Sequence, residues 1–415
     1  MTRAPGPRGR FVSGVWPAFQ RDPIGLLQSS VQTHGDIVRL RFGPIIAHLL
    51  NDPDAIAHVL SRHADRYDKR TRSVGQIAKS CGASLLSAGP EAAQHRTLIQ
   101  PLLQPNAVRR YTPVITQMTD QMLSIWRTQG GPVDVVHEMM TLVCRIVARL
   151  LFGADVQAAR IEAALAVILD DTWRRIQAPL NLSNLSPRFH RRAFRQALAE
   201  VDRIVLDIIA SRRDDRTAQD DVLQLLMQSG GDAGLSDQAL RDAVVTLLLA
   251  GHETTANALA WAMWHCGLDP EAAKAPPEQI FAETIRLYPS IWIIERRAVV
   301  ADTIGDFDIP KGSYVLISPY LLHRNDAVFP APDVFDPSRF DSDAAQGRHR
   351  HAYLPFGLGQ HRCIGLHLAQ WIGQAVIAAL HDNVSLMPVD PTAAQPDPGM
   401  TLRHKGPLWM QPDWR

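Results

Sequence analysis

The sequence predicts a mainly α-helical protein with small β-sheets. Apolar residues recur three and four positions apart almost continuously over residues 113–153, and again in a long segment that begins near Ser236. Strand signals are short, as in residues 37–42 and 45–50, which flank Gly43-Pro44 and predict a hairpin. Hydrophobic residues form 46% of the 415-residue chain and charged residues 20%, a composition typical of a globular protein with a large core.

Bulk properties exclude several classes of protein. The net charge of +1 gives no reason to expect a nucleic-acid partner, and no apolar run approaches the roughly 20 residues of a membrane span. The first residues lack the apolar core of a signal peptide. The four cysteines are widely separated and include no C-x-x-C pair. We therefore expect reduced thiols and a cytoplasmic protein without a membrane anchor.

The other elements are predicted in chain order. We expect helices over residues 23–33 and 55–62 on either side of the hairpin. Apolar periodicity is weak over residues 66–86, which are expected to form either a plain surface loop or a loop that lines a binding pocket. Further helices are expected over residues 94–103, 113–153 with a break at 129–132, 156–175 and 189–212. Residues 179–187 interrupt the periodic pattern, and most such segments only connect helices.

The long segment after Ser236 is apolar nearly all round, which predicts a buried central helix with Ser236 as its N-cap. It contains Ala250-Gly251-His252-Glu253-Thr254-Thr255. A glycine, an acid and two threonines there reduce helix propensity and cost desolvation free energy. One explanation is a satisfied polar step, in which Thr254 bonds a carbonyl one turn back. The other explanation is a chemical role.

A second unusual segment, residues 356–365, contains a lone cysteine, Cys363, among glycines and immediately before a periodic apolar segment. Cys363 is thus expected where a bent loop enters a helix. Free backbone N–H groups and the positive helix end favour a thiolate at such a position. A buried, unreactive cysteine is the simpler alternative. Zinc fits poorly, because histidines lie nearby but no second cysteine does.

The pattern F-x-x-G-x-H-x-C-x-G of residues 356–365 resembles the haem-binding loop of the cytochrome P450 family. The resemblance implies one b-type haem (heme b, iron protoporphyrin IX) with Cys363 as the axial iron ligand. His361 would contact a haem propionate. The remaining cofactor-binding positions implied by this loop are Phe356, Gly359 and Gly365.

Residues 250–255 resemble the oxygen-activation motif of the same family. The resemblance implies that Gly251, next to Ala250, leaves space for dioxygen and that Thr254 hydrogen-bonds it. Glu253 would belong to the proton-delivery route, because protons must arrive within hydrogen-bond reach. We therefore predict a catalytic set of Ala250, Gly251, Glu253 and Thr254.

The resemblance extends to a structural core. Glu283 and Arg286 lie three residues apart on one predicted helical face, and Arg339 follows in F-D-P-S-R-F. In the family, residues in this order form a buried ion-pair network that stabilises the haem loop. The interval from Glu253 to Glu283 is shorter than is usual in the family. We therefore expect one intervening helix to be truncated or absent.

Other haem contacts are implied by position. Arg96 and Arg297 match family positions that bind the haem propionates, and Arg296, adjacent to Arg297, stays open as the alternative. Ala92 occupies a position where the family commonly has a histidine or tryptophan, so one expected propionate contact is missing. His95 is not in register to replace it.

The substrate pocket is implied only coarsely. Residues 291–294 predict a strand that in the family passes beside the substrate, and residues 180–186 correspond to the family's lid. A short connecting loop is the simpler explanation of residues 180–186. The candidate pocket residues are Leu247, Trp173, Ile291, Trp292 and Ile293.

Together these motifs predict a single cytochrome P450 domain over residues 1–415. Its β-rich part would comprise about residues 35–50 and 290–320, and its helical part about 90–290 and 355–382. We expect a monomeric haem-thiolate monooxygenase that hydroxylates or epoxidises a lipophilic small molecule in natural-product metabolism. An oxidase that couples, rearranges or uses peroxide without inserting oxygen is the alternative, followed by a non-catalytic haem sensor or electron carrier.

Electrons must come from a partner, because the sequence contains no flavin or iron–sulfur motif. We expect a ferredoxin with its ferredoxin reductase. By family analogy a set of arginines flanks the proximal haem face and forms a basic patch for an acidic ferredoxin. The set is Arg109, Arg110, Arg348, Arg350 and Arg362. A solvated basic face without a partner is the alternative.

Overall fold

The computed structural model describes residues 2–153, 157–178, 188–214, 221–228 and 235–415. The helices of these ranges are α1 Trp16–Arg21, α2 Pro23–His34, α3 Pro53–Ala57, α4 Arg72–Cys81, α5 Pro90–Ile99, α6 Pro105–Val108, α7 Thr112–Gln129, α8 Val135–Phe152, α9 Ala158–Gln177, α10 Arg188–Asp214, α11 Val222–Gln228, α12 Asp237–Leu268, α13 Pro277–Leu287, α14 Pro319–Leu322 and α15 Leu366–Asn383. Helix is the dominant structure, as the sequence predicted.

The strands are short. They are β1 Ile37–Phe42, β2 Ile45–Leu50, β3 Tyr67–Asp68, β4 Val133–Asp134, β5 Ile294–Ala298, β6 Asp302–Ile304, β7 Phe307–Ile309, β8 Tyr314–Ile317, β9 Val384–Pro388, β10 Pro396–Pro398, β11 Leu402–His404 and β12 Trp409–Trp414. The largest sheet has the order β1-β2-β8-β5-β3, in which the predicted hairpin β1-β2 continues by parallel pairing of β2 with β8. The prediction of a mainly helical fold with small sheets is confirmed.

Helix α12 is the centre of the helical core. Its N-cap is the predicted one, since Ser236 Oγ accepts a hydrogen bond from the Ala239 N–H at 3.2 Å. Nearly every residue from Leu240 to Trp264 is buried, and α8, α10, α13 and α15 pack around it. Burial on all sides explains why the sequence is apolar around the whole circumference.

Residues 66–86 differ from the expected loop, because they contain β3 and α4. Thr71 caps α4 by accepting the Val74 N–H. The helix has a polar face that is nonetheless buried, and its side chains find distant partners. Ser80 Oγ lies 2.8 Å from Thr172 Oγ1, and Ser73 Oγ donates to Glu295 at 2.9 Å. Such tertiary partners are invisible to an apolar-periodicity argument.

The strand expected over residues 291–294 begins only at Ile294. The Trp292 carbonyl accepts a hydrogen bond from Ser318 Oγ at 2.8 Å, and the Trp292 indole N–H donates to the Gly399 carbonyl at 3.0 Å. These side-chain bonds replace the strand ladder at this position.

The interval before α13 is short, as predicted. Between α12 and α13 the structure has only a 3₁₀ turn, Ala272–Lys274. The proposed lid, residues 180–186, lies outside the described residues. Within the ranges that are described, no helix is both long and apolar enough to cross a membrane.

Candidate active site

Helix α12 exposes one narrow stripe inside an otherwise buried surface. Between Leu240 and Trp264, only Leu247, Ala250, Gly251 and Thr254 are accessible, at a spacing that places them on one helical face. A Cβ added at Gly251 would meet only Val147, at an ordinary contact distance of 3.7 Å. Protein packing therefore does not require glycine there, and the missing side chain keeps the stripe open.

Thr254 makes the simple contact that a mid-helix threonine favours. Its Oγ1 donates to the Ala250 carbonyl at 2.8 Å, while its own carbonyl accepts a hydrogen bond from Ser290 Oγ at 2.7 Å. The hydroxyl remains accessible on the stripe. Because a hydroxyl can also accept hydrogen bonds, Thr254 keeps capacity for a second partner.

Glu253 is buried beside this stripe, with 6% of its surface exposed. Burial raises the pKa of its carboxyl, whereas Arg403 and the hydroxyl of Thr401 lower it. Its Oε2 has no hydrogen-bond partner among the residues that the structure describes. Arg403 in turn contacts Asp170 of α9 at 2.8 Å. Arg403 and Thr401 lie about 150 residues from Glu253 along the chain, so no local sequence pattern indicates that they meet it.

His252, to which the sequence assigned no role, points into the core. Its Nδ1 lies 3.3 Å from the Leu248 carbonyl, and burial lowers the pKa of the imidazole to about 4. A neutral, buried ring of this kind supports packing of α12.

The Cys363 loop is held in a tight bend. The Cys363 N–H donates to the Phe356 carbonyl at 2.9 Å, and Phe356 packs against the helical core. Gly359 has a φ of +72°, and a Cβ there would lie 1.9 Å from the Leu60 carbonyl oxygen. Glycine is therefore required at this close approach. Gly365 follows as the N-cap of α15, so Cys363 lies just before the helix, as the sequence predicted.

The residue Cys363 is exposed at this bend, whereas its sulfur is surrounded by protein atoms. Burial raises its pKa, and this effect outweighs the lowering by the N–H groups of Gly365 and Leu366 and by Arg96 and Arg362. A thiolate at this position stays a prediction. A bound cation would stabilise it, since coordinated thiols are deprotonated.

Four nitrogen-bearing side chains converge near this loop: Lys69, Arg96, Arg296 and His361. Burial, with Arg296 and Arg96 nearby, lowers the pKa of Lys69 to about 8. Burial, with Lys69, Arg296 and Arg96, lowers the pKa of His361 to about 4. Across the described residues, none of the four forms an ion pair with a carboxylate. Arg296 is buried, Lys69 and Arg96 are half-buried, and positive side chains in such positions call for an anionic group.

Strand β5 decides which arginine joins the cluster. Arg296 and Arg297 are adjacent and therefore point to opposite faces of the sheet. Arg297 pairs with Asp68 at 2.9 Å, whereas burial alone lowers the pKa of Arg296 to about 10. The sequence analysis preferred Arg297, and this geometry favours the alternative.

The other members are fixed by backbone carbonyls. Arg96 Nη2 donates to the Arg362 carbonyl at 2.7 Å, and Lys69 Nζ donates to the Leu85 carbonyl at 2.9 Å. Lys69 was missed because it lies in a segment that was expected to be a loop and in which no single residue was marked as functional. His95 is committed elsewhere, with its Nδ1 2.9 Å from Ser84 Oγ.

Glu283, Arg286 and Arg339 come together in a buried ion-pair network. Both Glu283 and Arg286 side chains are 0% exposed and are joined twice, from Nε to Oε2 at 2.6 Å and from Nη2 to Oε1 at 2.8 Å. Arg339 Nε lies 3.4 Å from Glu283 Oε1, and the Asp336 N–H donates to the same oxygen at 2.8 Å.

His323 connects this network to the segment that precedes the Cys363 loop. Its Nδ1 donates to the Arg286 carbonyl at 3.0 Å, and its Nε2 accepts the Leu354 N–H at 2.8 Å. Because Nε2 must accept, the proton lies on Nδ1. Burial keeps the ring neutral, with a pKa of about 3. The ion pair thus positions the chain two residues before Phe356.

The predicted pocket residues lie in three different environments. Leu247 lies on the accessible stripe. Trp292 and Trp173 contact each other edge to face, with ring centroids 6.0 Å apart, and belong with Ile293 to a cluster that packs the N-terminal helices. Ile291 is 42% exposed. Ile294, which belongs to the predicted strand 291–294 but was not among the candidate pocket residues, approaches the Cys363 loop at Gly357.

A shallow groove lies on the outer surface of α7. It is open to solvent and is distinct from the α12 stripe and the Cys363 loop. Its lining residues are Thr112, Pro113, Thr116, Gln117, Asp120, Gln121 and Ser124.

Comparison with known proteins identifies the family of the chain. The family model "Cytochrome P450" matches residues 4–278 and 278–408. Cyclooctatin synthase of Streptomyces melanosporofaciens is 34% identical, in an alignment that covers 100% of this chain and 96% of that protein. Cyclooctat-9-en-7-ol 5-monooxygenase of the same organism is 31% identical, over 93% of this chain and 88% of that protein. Pentalenene oxygenase of Streptomyces avermitilis is 28% identical, over 85% of this chain and 84% of that protein.

Membership of this family implies a haem-thiolate iron cofactor, a lipophilic substrate and redox partners that supply electrons. The expected reaction class, monooxygenation in secondary metabolism, is confirmed by the relatives. The chain belongs to the cytochrome P450 family and is a P450 monooxygenase.

Proposed function

We propose that a b-type haem binds between the α12 stripe and the Cys363 loop, with Cys363 as the axial ligand. The observation that carries this proposal is the cluster of Lys69, Arg96 and Arg296 around the neutral ring of His361, in which no member has a carboxylate partner in the described part of the chain. Two haem propionates supply the required negative charge. The Cys363 sulfur beside the cluster supplies the metal ligand.

Arg96, Arg296 and His361 hold the propionates in this assignment. Lys69 supplies the contact that is missing at Ala92, because it lies in the same cluster and is oriented by the Leu85 carbonyl. Arg297 instead ties β5 to Asp68. Phe356, Gly359 and Gly365 shape the loop so that the Cys363 sulfur faces the cofactor.

The haem iron supplies the activation of dioxygen when it is bound. Glu253 delivers protons to the stripe in this proposal, which is supported by its raised pKa and by an Oε2 that has no partner among the described residues and can bind water. Thr254 connects Glu253 to the stripe through its hydroxyl, which can give up its hydrogen bond to the Ala250 carbonyl and donate to a new partner instead. Leu247, Ala250 and Gly251 exclude water and present an apolar wall to the substrate.

The absorption spectrum of the dithionite-reduced protein under carbon monoxide tests the ligand assignment. A strongly red-shifted Soret band is expected for the wild type, and its loss is expected for Cys363→Ser. Cys266→Ser is the matched control, since Cys266 is half-buried far along α12. A red-shifted band that survives Cys363→Ser would overturn the proposal.

The propionate assignment has its own pair of variants. Arg296→Gln should increase the rate of haem transfer to apomyoglobin by about tenfold, as expected for loss of one charged hydrogen bond. Arg297→Gln breaks only a partly exposed ion pair and should change the rate less than about threefold. The opposite order would assign the propionate to Arg297.

For the substrate we propose a cyclic terpene hydrocarbon or alcohol. Two relatives are named for the oxidation of cyclooctat-9-en-7-ol and of pentalenene. The stripe supports an uncharged, apolar molecule, because three of its four residues are apolar and the fourth is a threonine. Titration with pentalenene should shift the iron spin state, whereas a fatty acid should not. A shift only with the fatty acid would reject this class.

We also propose that the electrons come from an acidic ferredoxin with its reductase. Arg109, Arg350 and Arg362 are exposed and support a basic docking patch. Arg348 does not belong to it, because its guanidinium stacks on Phe329 and Phe340 and donates to the Arg339 carbonyl at 2.6 Å. A cytoplasmic monomer stays a prediction.

Reduction kinetics test the patch. Arg109→Gln/Arg350→Gln should slow reduction by an acidic ferredoxin, and added salt should reduce the difference from the wild type. Lys274→Gln/Lys405→Gln, which removes two charges elsewhere, is the control. Equal slowing by both pairs would remove the patch from the proposal.

A further inference from the structure

A turn near the N-terminus exposes two adjacent apolar side chains. Residues 10–14, termed here the N-terminal turn, carry Phe11 with 96% of its surface exposed and Val12 with 79%. Among the other large apolar side chains of the described ranges, the most exposed is Val389 at 57%. Two neighbouring side chains that remain so fully in water give up the free energy that burial would provide.

The N-terminal turn is held in place by many hydrogen bonds. The Arg10 and Gly14 backbones exchange two hydrogen bonds of 2.9 Å, which close the turn. The Arg41 guanidinium donates to the carbonyls of Phe11 at 2.8 Å and Val12 at 3.0 Å, and also to that of Arg10. Gly14 has a φ of +62°, and a Cβ there would lie 1.8 Å from the Arg41 carbonyl oxygen. The backbone is thus fixed, and Phe11 and Val12 project from it.

Positive charge surrounds the turn. The first 35 residues contain Arg3, Arg8, Arg10 and Arg21, and Asp22 is their only carboxylate. Asp22 is occupied as the N-cap of α2, where it accepts the Gly25 N–H at 2.9 Å.

Two further arginines of β1 add to this charge. Burial lowers the pKa of Arg39, and the positive charges of Arg3 and Arg41 lower it further. No ion pair involves Arg3, Arg8, Arg10, Arg39 or Arg41 in the part of the chain that the structure describes. The field around Phe11 and Val12 is therefore positive and is not offset by a bound carboxylate.

The turn lies near one end of α9. The Trp16 indole N–H donates to the Gln177 carbonyl at 2.7 Å, and Gln20 Nε2 donates to the same oxygen at 2.9 Å. Gln177 is the last residue of α9, whose Asp170 contacts Arg403 in the Glu253 network. Helix α9 therefore connects the segment that follows the N-terminal turn to the surroundings of Glu253.

We propose that the N-terminal turn docks reversibly on an anionic phospholipid bilayer. Phe11 and Val12 enter the boundary between headgroups and acyl chains, while Arg8 and Arg10 contact lipid phosphates. A bilayer fits better than a protein partner, because the apolar area is limited to two projecting side chains surrounded by arginines. If the substrate is the hydrocarbon class proposed above, which is a separate premise, docking brings the enzyme to the phase in which that substrate dissolves.

Vesicle flotation of the haem-loaded protein tests this proposal. Vesicles of phosphatidylcholine with 30–40% phosphatidylglycerol, roughly the content needed for a strong surface potential, should carry the wild type at low salt. Phe11→Ser/Val12→Ser should weaken the partition coefficient at least about tenfold, as expected for removal of two buried apolar side chains. Arg8→Gln/Arg10→Gln should weaken it about 25-fold, at about fivefold per arginine.

Matched controls separate docking from general effects. Val389→Ser alters another exposed apolar residue, and Lys274→Gln/Lys405→Gln removes two other charges; both should float like the wild type. Carbon monoxide spectra of all variants should be unchanged, so that a failure of the haem proposal is recognised separately.

Several outcomes would overturn the proposal. One is flotation that survives Phe11→Ser/Val12→Ser, which would indicate adsorption by charge alone. Another is equal binding to pure phosphatidylcholine. A third is a change in molecular mass by light scattering on Phe11→Ser/Val12→Ser without any vesicle binding, which would assign the turn to contact between two copies of this chain.

Discussion

Two buried glutamates of this protein have opposite environments. Glu283 is 0% exposed, and its oxygens are engaged by the Arg286 guanidinium and the Asp336 N–H, with Arg339 nearby. Glu253 is almost as deeply buried, but Oε2 lacks a partner among the described residues and burial raises the pKa of its carboxyl. Burial is thus similar, whereas the supply of hydrogen-bond donors differs.

The number of hydrogen-bond donors around each glutamate decides whether it is suited to a structural or a chemical role. A carboxylate surrounded by donors is a fixed ion that holds its neighbours, and through His323 it positions the chain before the Cys363 loop. A buried carboxyl with an unfilled acceptor has a raised pKa, which is what the proposed role in proton delivery requires. The residue type is the same, and only the packed surroundings decide which role it performs.

The largest expected effect follows from breaking the Glu283 side of the comparison. Glu283→Gln leaves the Arg286 guanidinium buried without its counter-charge, and the free energy of unfolding should fall by about 3–5 kcal/mol. Urea unfolding measures the loss. Glu278→Gln, an exposed site on the same helix, should cost less than about 0.5 kcal/mol.

Arg339→Gln provides a milder variant if Glu283→Gln does not accumulate, because Arg339 contacts Glu283 at 3.4 Å. A loss below about 1 kcal/mol for Glu283→Gln would show that the ion pair does not stabilise the fold.

Removing the other glutamate should affect turnover while leaving the fold intact. Glu253→Gln keeps the side-chain volume but cannot transfer a proton, so product formation should fall about 100-fold, in the range typical of a lost general acid. Product per minute is measured at saturating electron supply. The carbon monoxide spectrum should match that of the wild type, and an unchanged rate would remove Glu253 from proton delivery.

Thr254 tests whether the accessible hydroxyl is part of the same route. Thr254→Ala should retain haem and substrate binding. The amount of product per electron pair should fall roughly tenfold, which corresponds to the loss of about one charged hydrogen bond, and the amount of peroxide should rise. Thr254→Ser, which keeps the hydroxyl, should recover most of the coupling. If alanine and serine variants couple equally well, the hydroxyl has no such role.

The smallest effect is a pH dependence of stability. The pKa of Glu253 in the folded protein is raised above its ordinary value of 4.5, so the folded state holds a proton that the unfolded state releases as pH rises. This contribution to stability is therefore fully present below pH 4.5 and is lost as pH rises toward the folded pKa. Glu253→Gln abolishes this pH dependence, so the free energy of unfolding of the variant should rise relative to that of the wild type by at most about 1.4 kcal/mol per pH unit in this window.

Unfolding at pH 5 and pH 8 measures this effect. The advantage of Glu253→Gln over the wild type should be larger at pH 8, with Glu278→Gln as the control that shows no such trend. An advantage that is the same at both pH values would mean that Glu253 ionises normally.

The sequence was a reliable guide where a pattern is local. The N-cap of α12, the hairpin β1-β2 and the position of Cys363 before α15 were all predicted, because capping, turn residues and apolar spacing act over a few residues. It failed where side chains find distant partners. Helix α4 has a buried polar face that pairs with α9 and β5, so its periodicity was not recognised.

The amino-acid sequence alone therefore determined the family and the mainly helical fold, and it singled out Cys363, Glu253 and Thr254 as candidates for the chemistry. Only the tertiary structure brought Lys69 and Arg296 into one cluster with His361, and Arg403 and Thr401 beside Glu253. The reason is physical: which of two adjacent arginines faces an anion, and whether a buried acid finds a donor, depends on side chains that are remote in sequence and meet only on folding.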